Sequence, residues 1–353
     1  MSRNNIGVLL IRADANTQMG TGHLMRCLAL AQGWQAQGGR VIFITACESD
    51  GLRQRLSDEG FQVIALEHPY PDPADWAMTS KVLAAHPGAW VALDGYHFDP
   101  AYQRQIREAG HPLLVIDDMA HLEHYYADVL LNQNIHAGRL DYSCEPYTRL
   151  LLGTRYALLR SEFLAWRGWQ REIPEVARKV LVTLGGGDPD NQTLKVIRAL
   201  QQVDVDGLEA VVVVGASNPH YQELEFAIRN SAASLPPQFT IRLVRNVSNM
   251  PELMAWADVA VTAGGSTCWE ISFMGLPNLV LILADNQRPV ARGLQEKGAA
   301  LSLGWWEQAD EPKIAKWLGM LVRNATQRSK MARLGKNLVD GRGLDYLMIF
   351  LEN

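Results

Sequence analysis

The sequence predicts an α/β chain of two Rossmann-like, doubly wound domains. Three features carry that expectation: a strand and helix alternation, its restart near mid-chain, and a glycine turn after a strand in each half. In the first half, short apolar runs at residues 6–11, 41–45, 62–66, 90–93, 113–116 and 129–131 alternate with amphipathic stretches. That alternation implies a parallel sheet with crossover helices packed on it. The pattern loosens over residues 132–160 and resumes at Lys179 with Lys-Val-Leu-Val-Thr-Leu, followed by Gly185, Gly186, Gly187 and Asp188. Further strands are expected at 210–214, 240–244, 258–262 and 278–282.

A length of 353 residues exceeds one comfortable core and suits two domains. We place an N-terminal domain at 1–160, a C-terminal domain at 175–340, and over 341–353 a last helix that crosses back onto the first domain. Hydrophobic residues make up 48% and charged residues 20%, the balance of a soluble globular protein. A net charge of -5 argues against a nucleic-acid partner, which calls for a clustered basic face. Cys27, Cys47, Cys144 and Cys268 have neither metal-ligand nor disulfide-framework spacing and read as reduced thiols. The polar start lacks the charged and apolar segments of a signal peptide, and no window reaches the roughly 18 apolar residues that span a bilayer. A cytoplasmic protein without a membrane span is expected.

Two such domains make a central cleft between the carboxyl ends of their sheets, where open α/β folds bind ligands. This fits the GT-B architecture of nucleotide-sugar enzymes, and also periplasmic-type binding proteins and two-domain dehydrogenases. Neither glycine turn matches the dinucleotide GxGxxG fingerprint, since the first reads Gly20-Thr21-Gly22-His23-Leu24-Met25. That counts against a dehydrogenase.

The segment from Ile11 to Arg26, IRADANTQMGTGHLMR, joins a buried strand to a helix. Gly20 and Gly22 permit positive φ and close backbone approach there, and the helix start offers N–H groups to an anion. His23, titratable near neutral pH, is suited to take a proton from water or to carry charge beside a phosphate, although a histidine at a helix start often only caps or packs. The second informative segment runs VTAGGSTCWEI. There Gly264 and Gly265 precede the hydroxyls of Ser266 and Thr267 at a helix start, and Glu270 lies one turn on. Backbone N–H groups and the hydroxyls suit a pyrophosphate, and Glu270 suits ribose hydroxyls. The bland reading makes Ser266 an N-cap and Glu270 a capping partner.

Together, RADANTQMGTGHLMR, GGSTCWE and the later Asp285-Asn286-Gln287 resemble the PseG family of UDP-sugar hydrolases from pseudaminic acid biosynthesis. That family has a GT-B fold and is similar to the N-acetylglucosaminyltransferase of peptidoglycan synthesis. The resemblance covers nearly the whole chain, and its N-terminal motif is the more diagnostic part. It implies hydrolysis of UDP-2,4-diacetamido-2,4,6-trideoxy-β-L-altropyranose to UDP and the free sugar, with water attacking the anomeric carbon and inverting it. It further implies His23 as general base and Gly264 to Thr267 as the diphosphate cradle. Glu270 would hold the ribose, Asn286 the sugar or the water, and Gln287 a further part of the substrate. No metal and no cofactor are expected. The partner is a small-molecule UDP-sugar, its product destined for flagellin or surface polysaccharide. UDP leaves readily, so dipoles on the diphosphate suffice and no strong general acid is needed.

Other residues are weaker candidates. Asp94 and Tyr96 follow a strand and are suited to orient the sugar or polarise the water, although Asp-Gly is also an ordinary turn. His97 is weaker still. Asp117, Asp118, His121 and His124 suggest a metal site only by proximity, and one aspartate is suited to position His23. The amides of Asn132, Gln133 and Asn134, and the guanidinium groups of Arg155 and Arg160, suit acetamido or phosphate groups. Arg12, at a strand end, is placed as a ligand contact, whereas Arg26 is as easily paired with a surface carboxylate. Trp305 and Trp306 read as core cover. Two alternatives stand beside the hydrolase: an inverting GT-B glycosyltransferase, and a UDP-sugar-binding protein without activity.

Overall fold

The computed structural model describes residues 6–16, 19–186, 188–215, 218–231 and 239–352. Residues 2–5, Thr17 and Gln18 of the first motif, and Gly187 lie outside them. The chain divides into two compact units, Met1–Ser161 with Gly341–Asn353, and Glu162–Asp340.

The first unit carries β1 (Val8–Ala13), α1 (Gly22–Ala36), β2 (Arg40–Thr45), α2 (Asp50–Asp58), β3 (Gln62–Ala65), α3 (Pro73–Ala85), β4 (Trp90–Asp94), α4 (Pro100–Glu108), β5 (Leu113–Ile116), β6 (Val129–Asn132) and β7 (Arg149–Leu152). Its strands form one parallel sheet in the order β3-β2-β1-β4-β5-β6-β7. Alternation along β1 explains why the sheet needs helices on both faces. Leu9 and Ile11 join a core with Leu24, Leu28 and Trp34 of α1, while Leu10 joins another with Tyr102 and Ile106 of α4. The short β7 is an addition to the expected strands. As an edge strand it leaves Leu150 exposed, so its apolar run carries no clear in-and-out signal.

The second unit opens with the single-turn helix α5 (Ser161–Leu164), whose first residue belongs to the first unit. It continues through β8 (Lys179–Thr183), α6 (Gln192–Leu200), β9 (Glu209–Val214), α7 (Tyr221–Ser231), β10 (Thr240–Arg245), α8 (Met250–Trp256), β11 (Val259–Ala263), α9 (Thr267–Phe273), β12 (Asn278–Ile282), α10 (Arg288–Glu296), β13 (Leu301–Trp305), α11 (Glu311–Arg323) and α12 (Ala325–Leu338). Its parallel sheet runs β10-β9-β8-β11-β12-β13. β13 is likewise unanticipated. Gly304 takes φ +85° within it and its register against β12 shifts, which interrupts the alternation that marks a strand. Trp306 packs against the core, as cover, while Trp305 stacks under the Arg288 guanidinium at 4.0 Å.

Helix α13 (Gly343–Leu351) returns to the first unit. Leu344, Leu347, Met348 and Leu351 are buried there against the layer that holds α1. Burying each such side chain is worth about 1.5–3 kcal/mol before entropy is counted. Among the described residues no helix is long and apolar enough to cross a membrane. The four cysteines are free thiols.

Candidate active site

Each sheet reverses its strand order once. In the first unit β1 to β3 lie to one side and β4 to β7 to the other, so the carboxyl ends of β1 and β4 flank the reversal. In the second unit the ends of β8 and β11 do so. Open parallel sheets bind ligands outside such ends, because there the loops part and helix N-termini converge. The sequence motifs fall at these places.

In the first unit, Gly20 takes φ +73° in the turn after β1, a conformation costly for a side chain with a Cβ, and Gly22 opens α1. His23 follows and is 8% exposed. Its Nδ1 lies 2.6 Å from Oδ1 of Asp94, the last residue of β4. Burial disfavours the charged Asp94 carboxylate, but Arg26 and His23 outweigh that and hold the group below its ordinary value. An ionised carboxylate has no proton to give, so Nδ1 donates to Asp94 and the lone pair of the neutral ring resides on Nε2. Nε2 makes no hydrogen bond to a described residue. This is the tautomer a general base requires.

Arg26, one helical turn after His23, is 6% exposed. It donates from Nε to Asp94 Oδ2 at 2.6 Å, from Nη2 to Asp94 Oδ1 at 2.7 Å, and from Nη1 to both oxygens of Asp118 at 2.8 and 2.9 Å. Asp118 also accepts from the Tyr96 hydroxyl at 2.6 Å and from Asn134 Nδ2 at 2.5 Å. The Tyr96 ring meets the His23 ring edge-on, with centroids 4.7 Å apart. The network therefore joins α1 to the loops after β4, β5 and β6. Sequence reasoning missed Arg26 as its centre, although the i, i+3 spacing from His23 was the available signal.

Asp118 is likewise opposed by burial, yet Arg26 and its other donors hold it well below the ordinary carboxylate value of 3.8. An unfolded chain takes up protons below about pH 4 that these folded carboxylates refuse, so the stability they supply is complete at neutral pH and is lost as pH falls. Thermal melts are expected to be level near neutrality and to drop below about pH 4; a melting temperature constant to pH 2 would contradict the pairing.

Three side chains sit in surroundings other than those expected. Arg12, expected at a ligand, is fully buried, paired with Asp14 and Asp75, and lies 4.8 Å over the Phe98 ring. Strand β1 is central, so the inward side chain at its end meets core. Asp94, expected beside the sugar or the water, is fully buried and accepts from His23 and Arg26. Arg26 pairs with buried carboxylates, not with one at the surface. The Tyr96 hydroxyl proton is committed to Asp118, which leaves that oxygen only as an acceptor. His97 Nε2 meets Asp14 at 2.9 Å, His121 meets Asp117 at 3.1 Å, and His124 meets Glu145 at 3.2 Å, so these imidazoles pair separately. Asn132 donates to Tyr142, Gln133 accepts from the Leu158 N–H, and Arg155 stacks on Tyr346.

In the second unit, β8 ends at the glycine run, where Asp188 accepts from the N–H groups of Gln192 and Thr193 at 2.8 and 2.7 Å and so caps α6. After β11, Gly264 is pressed against the turn at Asp285–Gln287; a Cβ on it would lie 2.9 Å from that of Gln287 and 3.0 Å from its carbonyl oxygen. Gln287 Oε1 accepts from the N–H groups of Gly264 at 3.2 Å and Leu283 at 2.9 Å. The Gln287 side-chain Oε1 and the Gly264 N–H thus join the loops after β11 and β12 to each other. A Cβ at Gly265, in contrast, would meet nothing within 4 Å. Ser266 occupies the N-cap position of α9, as the bland reading has it, without a side-chain capping bond. Asn286 lies in the turn that Gln287 anchors.

Residues 180–340 match the glycosyltransferase family 28 C-terminal domain. The chain is 26% identical to the spore coat polysaccharide biosynthesis protein SpsG of Bacillus subtilis, over 97% of each chain. It is 24% identical to a Campylobacter jejuni protein named UDP-2,4-diacetamido-2,4,6-trideoxy-beta-L-altropyranose hydrolase, over 82% of this chain and 97% of that one. Among solved structures it is similar to Acinetobacter baumannii MurG, with a TM-score of 0.68 and 16% identity over 98% of this chain and 99% of the other. The chain therefore has the GT-B fold, and its second half matches the C-terminal domain of glycosyltransferase family 28.

Proposed function

We propose that the protein hydrolyses a UDP-linked 2,4-diacetamido-2,4,6-trideoxy sugar, releasing UDP and the free sugar in nonulosonic acid biosynthesis. The observation that carries this reading is the His23 to Asp94 pair, which leaves Nε2 as the proton acceptor. Similarity to the Campylobacter jejuni hydrolase over most of both chains supports the substrate class. His23 Nε2 takes a proton from water as the water oxygen bonds to the anomeric carbon. The carbon to oxygen bond to UDP breaks with its electron pair passing to the diphosphate, and the anomeric centre inverts. Amides at Gly265, Ser266 and Thr267 are assigned to the growing negative charge, Glu270 to the ribose, and Asn286 to the sugar or the water. Gly20 and Gly22 shape the turn that presents His23.

A glycosyltransferase of the same fold is the second reading, favoured by the family 28 match and the similarity to MurG. Incubation with the UDP-sugar and no acceptor separates the two. Equimolar UDP and free reducing sugar are expected from the hydrolase. Release of UDP only when an acceptor is added would establish the transferase, and UDP affinity without turnover would indicate a binding protein.

A further inference from the structure

We propose that Arg26 is a positioning residue that fixes the protonation site of the His23 imidazole. The geometry offers Nδ1 two neighbours, Asp94 Oδ1 at 2.6 Å and Arg26 Nη2 at 3.2 Å. They demand opposite states of the ring. If Nδ1 lacked its hydrogen it would accept from Arg26, and its lone pair would then face a carboxylate oxygen at 2.6 Å, which is repulsive. If Nδ1 carries the hydrogen, it donates to Oδ1 and the guanidinium spends its own N–H groups elsewhere. The second arrangement has donors and acceptors matched throughout, because Nε and Nη2 hold the two Asp94 oxygens and Nη1 holds Asp118.

The planar fork also sets the plane of the Asp94 carboxylate, and thereby the direction in which Oδ1 meets the imidazole. Arg26 is in turn held by Asp118, which Tyr96 and Asn134 anchor from separate strand ends. Charge neutralisation alone would need only a cation here. The bonds from three guanidinium nitrogens to four carboxylate oxygens need an arginine, so Arg26→Lys separates the two roles.

The role rests on His23 being the base, but the protonation site of the ring is measurable without any substrate. In protein labelled with ¹⁵N-histidine, long-range ¹H–¹⁵N correlation is expected to show neutral His23 protonated at Nδ1. In Arg26→Lys the two nitrogen shifts should move toward an averaged tautomer mixture, and kcat for UDP release should fall about 100-fold with little change in KM. A His23 protonated at Nε2 in the unaltered protein, or Arg26→Lys with unchanged shifts and unchanged kcat, would overturn the assignment. Should Arg26→Lys not fold, Asp118→Asn supplies the same test: it frees one side of Arg26 while leaving His23 and Asp94 intact. A selective loss of kcat is then expected, and an unaltered kcat with unaltered His23 shifts would overturn it. If the unaltered protein releases no UDP from any diacetamido sugar, the hydrolase reading fails, while the nitrogen spectra still decide what Arg26 does.

Discussion

Replacing His23 with alanine is expected to lower kcat by about a hundred- to ten-thousand-fold, the usual contribution of a positioned general base. UDP affinity, measured by calorimetry, should stay close to that of the unaltered protein, because the nucleotide is assigned to the loops after β11 and β12. The split between turnover and binding is the informative part. His23 is 8% exposed and bonded to a buried carboxylate, so its loss also leaves Asp94 with one donor fewer. Arg26 continues to hold both oxygens of Asp94, which limits the structural cost. A His23→Ala variant that hydrolyses at nearly full rate would remove the base from the account.

Arg12→Ala is expected to act on stability instead. Arg12 is fully buried and its guanidinium pairs with Asp14 and Asp75, which are themselves buried. Asp75 retains the Tyr102 hydroxyl at 2.7 Å, and Asp14 retains His97 and the Ala46 N–H at 2.9 and 2.6 Å. Those donors do not replace the lost positive charge. Removing one partner of a buried ion pair costs about 3–5 kcal/mol, because the remaining charge is left uncompensated. For a unit of this size that lowers the melting temperature by on the order of 10 °C. At a temperature where the variant remains folded, KM should be unchanged. A raised KM with an unaltered melting temperature would restore Arg12 as a ligand contact.

The contrast between Arg12 and Arg26 shows what a sequence reveals of such a site and what it conceals. Strand and helix alternation is a local property, repeated every few residues, and it made the two parallel sheets readable. Edge strand β7 and the bulged β13 escaped because their alternation is broken by exposure at Leu150 and by Gly304. The glycine turns were readable because backbone conformation and close approach restrict residue choice, as at Gly20 and Gly264. Partner identity was not. Arg12 and Arg26 both flank the first glycine turn, and only the sheet order brings Asp75 to one and Asp94 with Asp118 to the other. These pairs are 63, 68 and 92 residues apart in the chain, beyond any local pattern. Gln287 shows the same limit: nothing nearby in sequence discloses that its side-chain Oε1 accepts from the Gly264 N–H.

In the proposed reaction, water activated by His23 attacks the anomeric carbon of a UDP-linked diacetamido sugar. Turnover in ¹⁸O-labelled water, without any acceptor, tests it most directly when both products are analysed by mass spectrometry and NMR. The label is expected in the anomeric hydroxyl of the released sugar, of inverted configuration, and none in UDP. Label in the terminal phosphate of UDP would place the attack at phosphorus and contradict it.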